Sequence, residues 1–457
     1  MNDNSSTAAA VSTDAPKPVL SVFDGAMIIV GIVIGAGIFK TPSLVASVTG
    51  SVDWMLIAWV LGGALSLIGA LCYAELASAF PNAGGDYHFL TRAYGRDVSF
   101  FFGWARITAI TTGSISLLAF VFGDYMSRVV SLGPNSSAIY AAITVVVLTV
   151  VNIIGLRESS RAQNVLTVIE VSGVLLVTLA GIVVTAPPAP AAAVAATSSS
   201  GLPPLFGLAM VFVLLTYGGW NEGAYISAEV KGGPRAIVRT LVIAIVVLTL
   251  VYVGFVAALL HGLGFAGIKA SQAVGADVME AAFGPVGAQL IGAIVGVATL
   301  TSINATMIVG ARTNYALGRD WPQLALMSRW QGDRNVPLAA FLVQGALALA
   351  LVAFGSLQKD GFSAMVEFTA PIFWFFFLLT GVALFVLRFR EPAVSRPFKV
   401  PLYPILPIVF VVTCGYLFYS SVTYAQSKQS VDIALYVMLA GLLVWGLLRL
   451  TRTREHR

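Results

Sequence analysis

Two glycine-bearing stretches hold the residues of this chain best suited to bind a small charged solute. The first is GIVIGAGIFK, residues 31 to 40, where Gly31, Gly35 and Gly37 interrupt an apolar run that Lys40 closes. The second is Tyr217-Gly218-Gly219-Trp220-Asn221-Glu222-Gly223. A glycine inside a helix costs about 1 kcal/mol relative to alanine, so each cluster marks either very close helix packing or a helix that stops. Where a helix stops away from water, its freed amides suit an anion and its freed carbonyls an ammonium group. A zwitterion carries both charges. No nucleophile, base and orienting residue accompany these stretches, which argues against an enzyme, and no metal-ligand set or cofactor motif is present.

The elements that must hold these residues follow from composition. Of 457 residues, 58% are hydrophobic and only 10% charged, where a soluble domain carries about a quarter charged residues. The chain therefore reads as an all-α integral membrane protein. Runs long enough to cross a bilayer number twelve, at 21–47, 54–79, 98–130, 137–155, 162–186, 205–229, 236–262, 286–311, 337–355, 362–388, 402–422 and 431–450. Residues 1–20 are polar, lack the apolar core of a signal peptide and read as a disordered cytoplasmic tail, and 451–457 as a cytoplasmic C-terminus. With both ends inside, twenty Lys and Arg residues fall on the inner side and four on the outer, which fixes the orientation in a cell (plasma) membrane. The net charge of +5 is thus a topology signal rather than a nucleic-acid footprint.

The two interrupted segments are the first and sixth, so they cross the membrane in opposite directions. Interrupted helices at corresponding positions of two oppositely oriented halves mark an inverted-repeat secondary transporter. Residues 21–186 and 205–388 are then the two five-helix repeats, 402–450 the two appended helices, and the Pro/Ala/Ser stretch 187–203 their linker. The loops 82–97 and 312–336 carry aromatic residues among charges and suit short helices lying on the inner membrane surface.

On these motifs the sequence resembles the amino acid–polyamine–organocation superfamily, specifically its L-type amino acid transporters and bacterial serine/threonine exchangers. The resemblance runs from about residue 20 to 450 and is carried by GIVIGAGIFKTP, LCYAELASAFPNAGGDYHFLTRAYG, YGGWNEGAYISAEVKGGPRAI, ARTNYALGRDWP and SRPFKVPLYPILP, in that order. It implies a five-plus-five inverted-repeat fold and alternating-access transport of an amino acid, usually by exchange. It also implies roles for individual residues. Around Ile34, the amides of Gly35, Ala36 and Gly37 would receive the substrate carboxylate. The carbonyls of Val33, Leu215 and Gly218 would receive its amino group. Tyr217, Gly219, Trp220 and Asn221 would border the side-chain pocket, with Thr112 and Gly113 opposite. Ala36 stands where a serine is frequent, and Leu215 where a gating aromatic is frequent. Human members join a glycoprotein subunit through a cysteine in the loop after helix 3. Here that loop reads SLGPNSSA, so no disulfide-linked partner is expected.

Charges inside the apolar runs need a partner or neutralisation, because each costs at least about 2.5 kcal/mol at mid-bilayer. Sodium-independent members of the superfamily commonly carry a lysine in helix 5, and Glu170 falls at that position here. Lys40 is expected to reach Glu170, the pair either titrating during transport, which would couple it to protons, or serving as a permanent ion pair. Glu222 either selects a cationic side chain or proton, or is a vestibule charge. Glu367 is expected near solvent at the outer end of helix 10, and Arg106 to snorkel or find a carboxylate. Glu75 and Glu229 read as loop or packing anchors, and the Phe-rich run at 373–377 as lipid-facing and packing surface, of which one aromatic could close over the substrate. The resulting expectation is a carrier of small or neutral amino acids working by exchange or proton symport. A cationic amino acid or polyamine carrier, an amino acid sensor and a channel are the alternatives.

Overall fold

The computed structural model describes residues 21–80, 85–154, 160–185, 201–221, 231–329, 337–427 and 431–455. Glu222, Glu229 and most of the linker lie outside these residues. Every regular element among them is helical, and nine helices are long and apolar enough to cross a membrane.

The first apolar segment is two helices, not one. Helix α1 (Val22–Val33) stops before an extended Gly35 (φ −95°, ψ −176°), a 3₁₀ turn spans Ala36–Phe39, and α2 (Thr41–Thr49) resumes with Pro42 in its first turn. Proline suits that position because it has no amide to leave unpaired. Gly50 ends α2 at φ +72°, a left-handed value that glycine adopts without Cβ strain. The second interruption has the same form: α9 (Phe206–Thr216) ends at Tyr217, and Gly219 turns the chain at φ +106°.

Around these broken segments stand α3 (Val52–Ala79), α6 (Thr111–Val129), α7 (Ser136–Ile154) and α8 (Ser160–Val183). The later helices are α10 (Gly233–Ala270), α11 (Val274–Asp320), α12 (Leu338–Ser356), α13 (Gly361–Arg390), α14 (Ile405–Ser427) and α15 (Val431–Glu455). Helix α3 starts on Ser51, whose side chain accepts from the Trp54 amide, and α13 on Asp360, which accepts from Phe362 and Ser363. These side chains satisfy amides that a helix start otherwise leaves open.

Three boundaries differ from the sequence expectation. Helices α10 and α11 run past the expected ends at 262 and 286, each through one non-helical glycine, Gly264 (φ 68°) and Gly284 (φ 67°), so most of the expected loop is helical. The short helix expected in 82–97 is present as α4 (Asp86–Tyr94), and α5 (Arg96–Ala105) follows it directly. In 312–336, by contrast, α11 continues to Asp320 and only a 3₁₀ turn, Pro322–Leu324, follows among the described residues. Between α5 and α6 the chain widens into a π turn, Arg106–Ile110, a distortion often found at functional sites.

The end of the bundle that carries α4 is pinned by charge. Glu75 of α3 is buried and takes a bidentate pair from Arg388 of α13, at 2.6 and 2.7 Å. Its carboxylate also accepts from the Val400 amide at 2.7 Å, and Arg396 stands 3.7 Å away. Glu75 thus fastens α3, α13 and the segment after α13 together, the anchoring expected of it. On the same face Arg92 of α4 grips Glu391 through contacts of 2.7 to 3.0 Å. Hydrogen bonding to Arg92 holds the Glu391 carboxyl below its ordinary range and raises the guanidinium in turn.

Candidate functional site

The two helix breaks meet. The hydroxyls of Thr41, just past the first break, and Thr216, at the second, lie 2.7 Å apart. Gly219 comes close to Ile32, where an added Cβ would lie 3.0 Å from the side chain, and its φ of +106° favours glycine. From behind, Tyr252 of α10 directs one hydroxyl at both breaks, 2.8 Å from the Val33 oxygen and 3.3 Å from the Thr216 oxygen.

A cavity of about 300 Å³ opens beside this junction. Gly31, Val33, Gly35, Gly37 and Thr41 line it from the first segment, and Leu215, Thr216, Gly218, Gly219 and Asn221 from the second. The glycines of the first segment have distinct tasks. A Cβ on Gly31 would collide with Thr167 of α8, so this glycine permits close packing, whereas Gly35 and Gly37 have no neighbour nearer than 3.6 Å at that position. The Gly35 amide bonds back to the Val33 oxygen at 2.7 Å. The next amides, of Ala36 and Gly37, open the 3₁₀ turn, and Gly35 as the cap offers no side chain to satisfy them. Of the three amides picked from sequence, that of Gly35 is thus engaged within the break, and those of Ala36 and Gly37 stand at the start of the 3₁₀ turn.

Other sequence-picked residues lie behind the lining. Ile34 is buried, its amide bonded to Val30. Tyr217 is fully buried, and its hydroxyl donates to the Trp59 oxygen at 3.1 Å. Trp220 packs edge-on against Tyr73 and Phe377 and borders a smaller cavity that adjoins the main one at Gly218, Phe373 and Phe377. Thr112 is fully buried and Gly113 faces Thr369, so neither lines the main cavity. That face of the chain presents Ile110, Thr111, Ser114, Leu117 and Leu118 instead.

Three lining stripes were missed from sequence although their spacing is helical. Ser302, Ala305, Thr306 and Val309 form one stripe of α11, and Val366, Thr369, Phe373, Phe376 and Phe377 one stripe of α13. Thr111, Ser114 and Leu118 form the third. The Ser302 hydroxyl is buried without a hydrogen-bond partner among the described residues and lies next to Gly35. Of the two roles expected for the Phe-rich run, packing and facing lipid, the second is corrected for most of it. Trp374, Phe376 and Phe377 are buried, and Phe375 alone of the run is exposed.

The charged residues also resolve. Lys40 does not meet Glu170: its ammonium lies 3.0 Å from Asp124 of α6 and 4.0 Å from Asp360. The sequence reading failed here because it weighed only charges deep inside apolar runs, and Asp124 and Asp360 stand near helix ends. Glu170 is 1% exposed, and neither carboxylate oxygen has a hydrogen-bond partner among the described residues. Glu367, expected near solvent, is buried and shares a hydrogen bond with Tyr424 of α14. Asp86 and Arg106 line the end of the cavity nearest α4, one charge of each sign. Cys72 and Cys414 are both buried free thiols.

A bundle of membrane-crossing helices, with two segments broken against each other around a cavity, defines a polytopic membrane transporter. More narrowly, the chain belongs to the amino acid permease family, whose model matches residues 20–447, within the amino acid–polyamine–organocation superfamily. It is 28% identical to the serine/threonine exchanger SteT of Bacillus subtilis (strain 168), over 92% of this chain and 94% of that one. To the human b(0,+)-type amino acid transporter 1 it is 27% identical, over 94% of this chain and 87% of that one. To the human large neutral amino acids transporter small subunit 2 it is also 27% identical, over 95% and 81%. The family and these relatives are transporters, and amino acid transport is the function of this chain.

Proposed function

We propose that the chain carries neutral amino acids by alternating access, exchanging one for another across the membrane. The observation that carries this reading is the meeting of the two breaks. The start of the 3₁₀ turn, with the amides of Ala36 and Gly37, and the carbonyl end of α9 come to the same cavity, which supports a fit to the two charges of an α-amino acid. The substrate side chain then faces Ile110, Leu117, Leu118, Val366 and Phe373, which offer it apolar surface. Asp86 and Arg106 offset each other in the lining, which favours a neutral substrate over a cationic amino acid or polyamine. The exchanger among the relatives supports exchange as the mode.

In this reading twelve spans form two inverted repeats, 21–186 and 205–388, with two helices appended, and both termini lie in the cytoplasm. The lysine and arginine distribution supports that orientation, which puts α4 on the inner face and the Lys40 cluster on the outer. Buried Glu170, next to the tyrosine that ties the breaks, is the residue through which protons would couple to transport. The test is counterflow. Proteoliposomes preloaded with unlabelled leucine, serine or lysine are given the radiolabelled amino acid outside. Accumulation driven by leucine or serine and not by lysine is expected; lysine driving it as strongly would overturn the neutral assignment.

A further inference from the structure

The Lys40 ammonium is 3% exposed and is reached from three separate elements. Its three N–H groups meet three acceptors: Asp124 Oδ2 of α6 at 3.0 Å, Gln272 Oε1 at 3.3 Å and the Gln272 backbone oxygen at 3.5 Å, the last two from the turn between α10 and α11. Asp360, which caps α13, adds a second carboxylate at 4.0 Å. The acceptors are themselves fixed. Asp124 takes the Ser137 hydroxyl of α7 at 2.7 Å, and Asp360 takes the Phe362 amide at 3.0 Å. All lie at the end of the bundle opposite α4. The cavity reaches toward α4 at Asp86 and Phe102, and its lining on the other side stops at Thr41, Leu118 and Phe362, short of the ion-pair cluster.

We propose that Lys40 is the gating residue on this face, a latch holding α2 against α6, the α10–α11 turn and α13 while the cavity is closed to that side. A buried ammonium is tolerated with its acceptors in place or with water around it, and is costly between those states. Moving α2 away strips all acceptors from Lys40 together, so the cluster favours a fully closed or a fully open face over intermediates. Lys40 stands at the junction of the 3₁₀ turn and α2, next to Thr41, which touches Thr216 across the breaks. Motion of the latch therefore reaches the amides of Ala36 and Gly37 directly. Lys40 is a positioning residue in this scheme and does not touch substrate.

The inference rests on the alternating-access reading, and the experiment separates the two. A single cysteine is introduced as Leu118→Cys on the cavity wall, in vesicles of defined sidedness. A membrane-impermeant maleimide is added on the Lys40 side, the buried Cys72 and Cys414 supplying the blank. Lys40→Met is expected to speed labelling about tenfold, the factor for removing a charge-assisted contact from one of two states. Asp124→Asn should give a smaller increase, and Lys40→Arg should keep the parental rate. Parental labelling in a folded Lys40→Met protein overturns the latch, as does an equal increase from Glu75→Gln, which breaks the ion pair at the opposite end. If Lys40→Met does not fold, Asp360→Asn, which leaves all three close acceptors, is read the same way. Faster labelling of Lys40→Met with no amino acid exchange by the parent protein would keep the latch and overturn the exchange reading, and exchange by the parent with unchanged labelling of Lys40→Met would do the reverse.

Discussion

The hydroxyl of Tyr252 lies 2.8 Å from the backbone oxygen of Val33 and, 3.3 Å away on its other side, reaches the oxygen of Thr216. One side chain of α10 thus holds the ends of both broken segments. It has a single hydrogen to share between two carbonyls, of which the Val33 oxygen also accepts from the Gly35 amide. Tyr252→Phe keeps the ring packing against Trp59 and Tyr217 and removes only this tie. Loss of one buried hydrogen bond, about 1 kcal/mol, should lower exchange by roughly five- to tenfold with little change in melting temperature. Radiolabelled exchange and a thermal melt on the same preparation check it. An unchanged rate would mean that the breaks hold their spacing without the tyrosine.

The packing role of Gly31 predicts a coupled pair. Gly31→Ala puts a methyl into the Thr167 side chain, an overpacking expected to cost about 1–3 kcal/mol, whereas Gly31→Ala with Thr167→Ala should recover most of that loss. Thermal stability of the parent, both single variants and the double variant closes the cycle. Additive losses would show that α1 and α8 do not meet at these residues.

These two cases mark where the sequence was legible. Gly31, Gly35 and Gly37 could be found by composition, but their tasks could not be separated, because packing and helix interruption call for the same residue. The place of the breaks was readable because glycine in a membrane helix is costly enough to need a reason. Lining register was not: Thr112 and Thr111 are neighbours in sequence, and the π turn at Arg106–Ile110 rotates the face by an amount no pattern announces. Lys40 was conspicuous as a charge in an apolar run. Its partner was not, because Asp124 and Gln272 come from distant segments that only the bundle brings together.

Glu170 supports a third prediction. No described group donates to its carboxylate, so Glu170→Gln breaks no hydrogen bond and tests charge alone. If protons couple through this residue, the substitution should abolish stimulation of uptake by an imposed pH gradient and leave exchange at symmetric pH within about twofold, since no contact is lost. Uptake in proteoliposomes with and without the gradient reads both. Gradient-stimulated uptake surviving in Glu170→Gln would remove Glu170 from the coupling.

The pairing of Arg92 with Glu391 gives a pH dependence of defined sign. Hydrogen bonding to Arg92 holds the Glu391 carboxyl below its ordinary value of 4.5 in the folded protein. Folding therefore favours the ionised form. The stabilisation is complete above the unfolded-state value and is lost as pH falls through the lower folded-state value. Both side chains are partly exposed, so the pair is worth at most about 1 kcal/mol. Arg92→Gln should melt below the parent at pH 7, and the gap should narrow only under acid conditions below the ordinary carboxyl range. A remainder is expected at every pH, because Arg92 also stacks over the Phe80 ring at 4.6 Å, a contact that Glu391 protonation leaves intact. His88 needs separate control, since burial first and Arg92 second hold its imidazole below the ordinary range and the substitution relieves the second effect. Running both proteins in a His88→Gln background isolates the carboxylate. A gap that is constant from pH 7 down to acid would assign the whole effect to the stacking on Phe80.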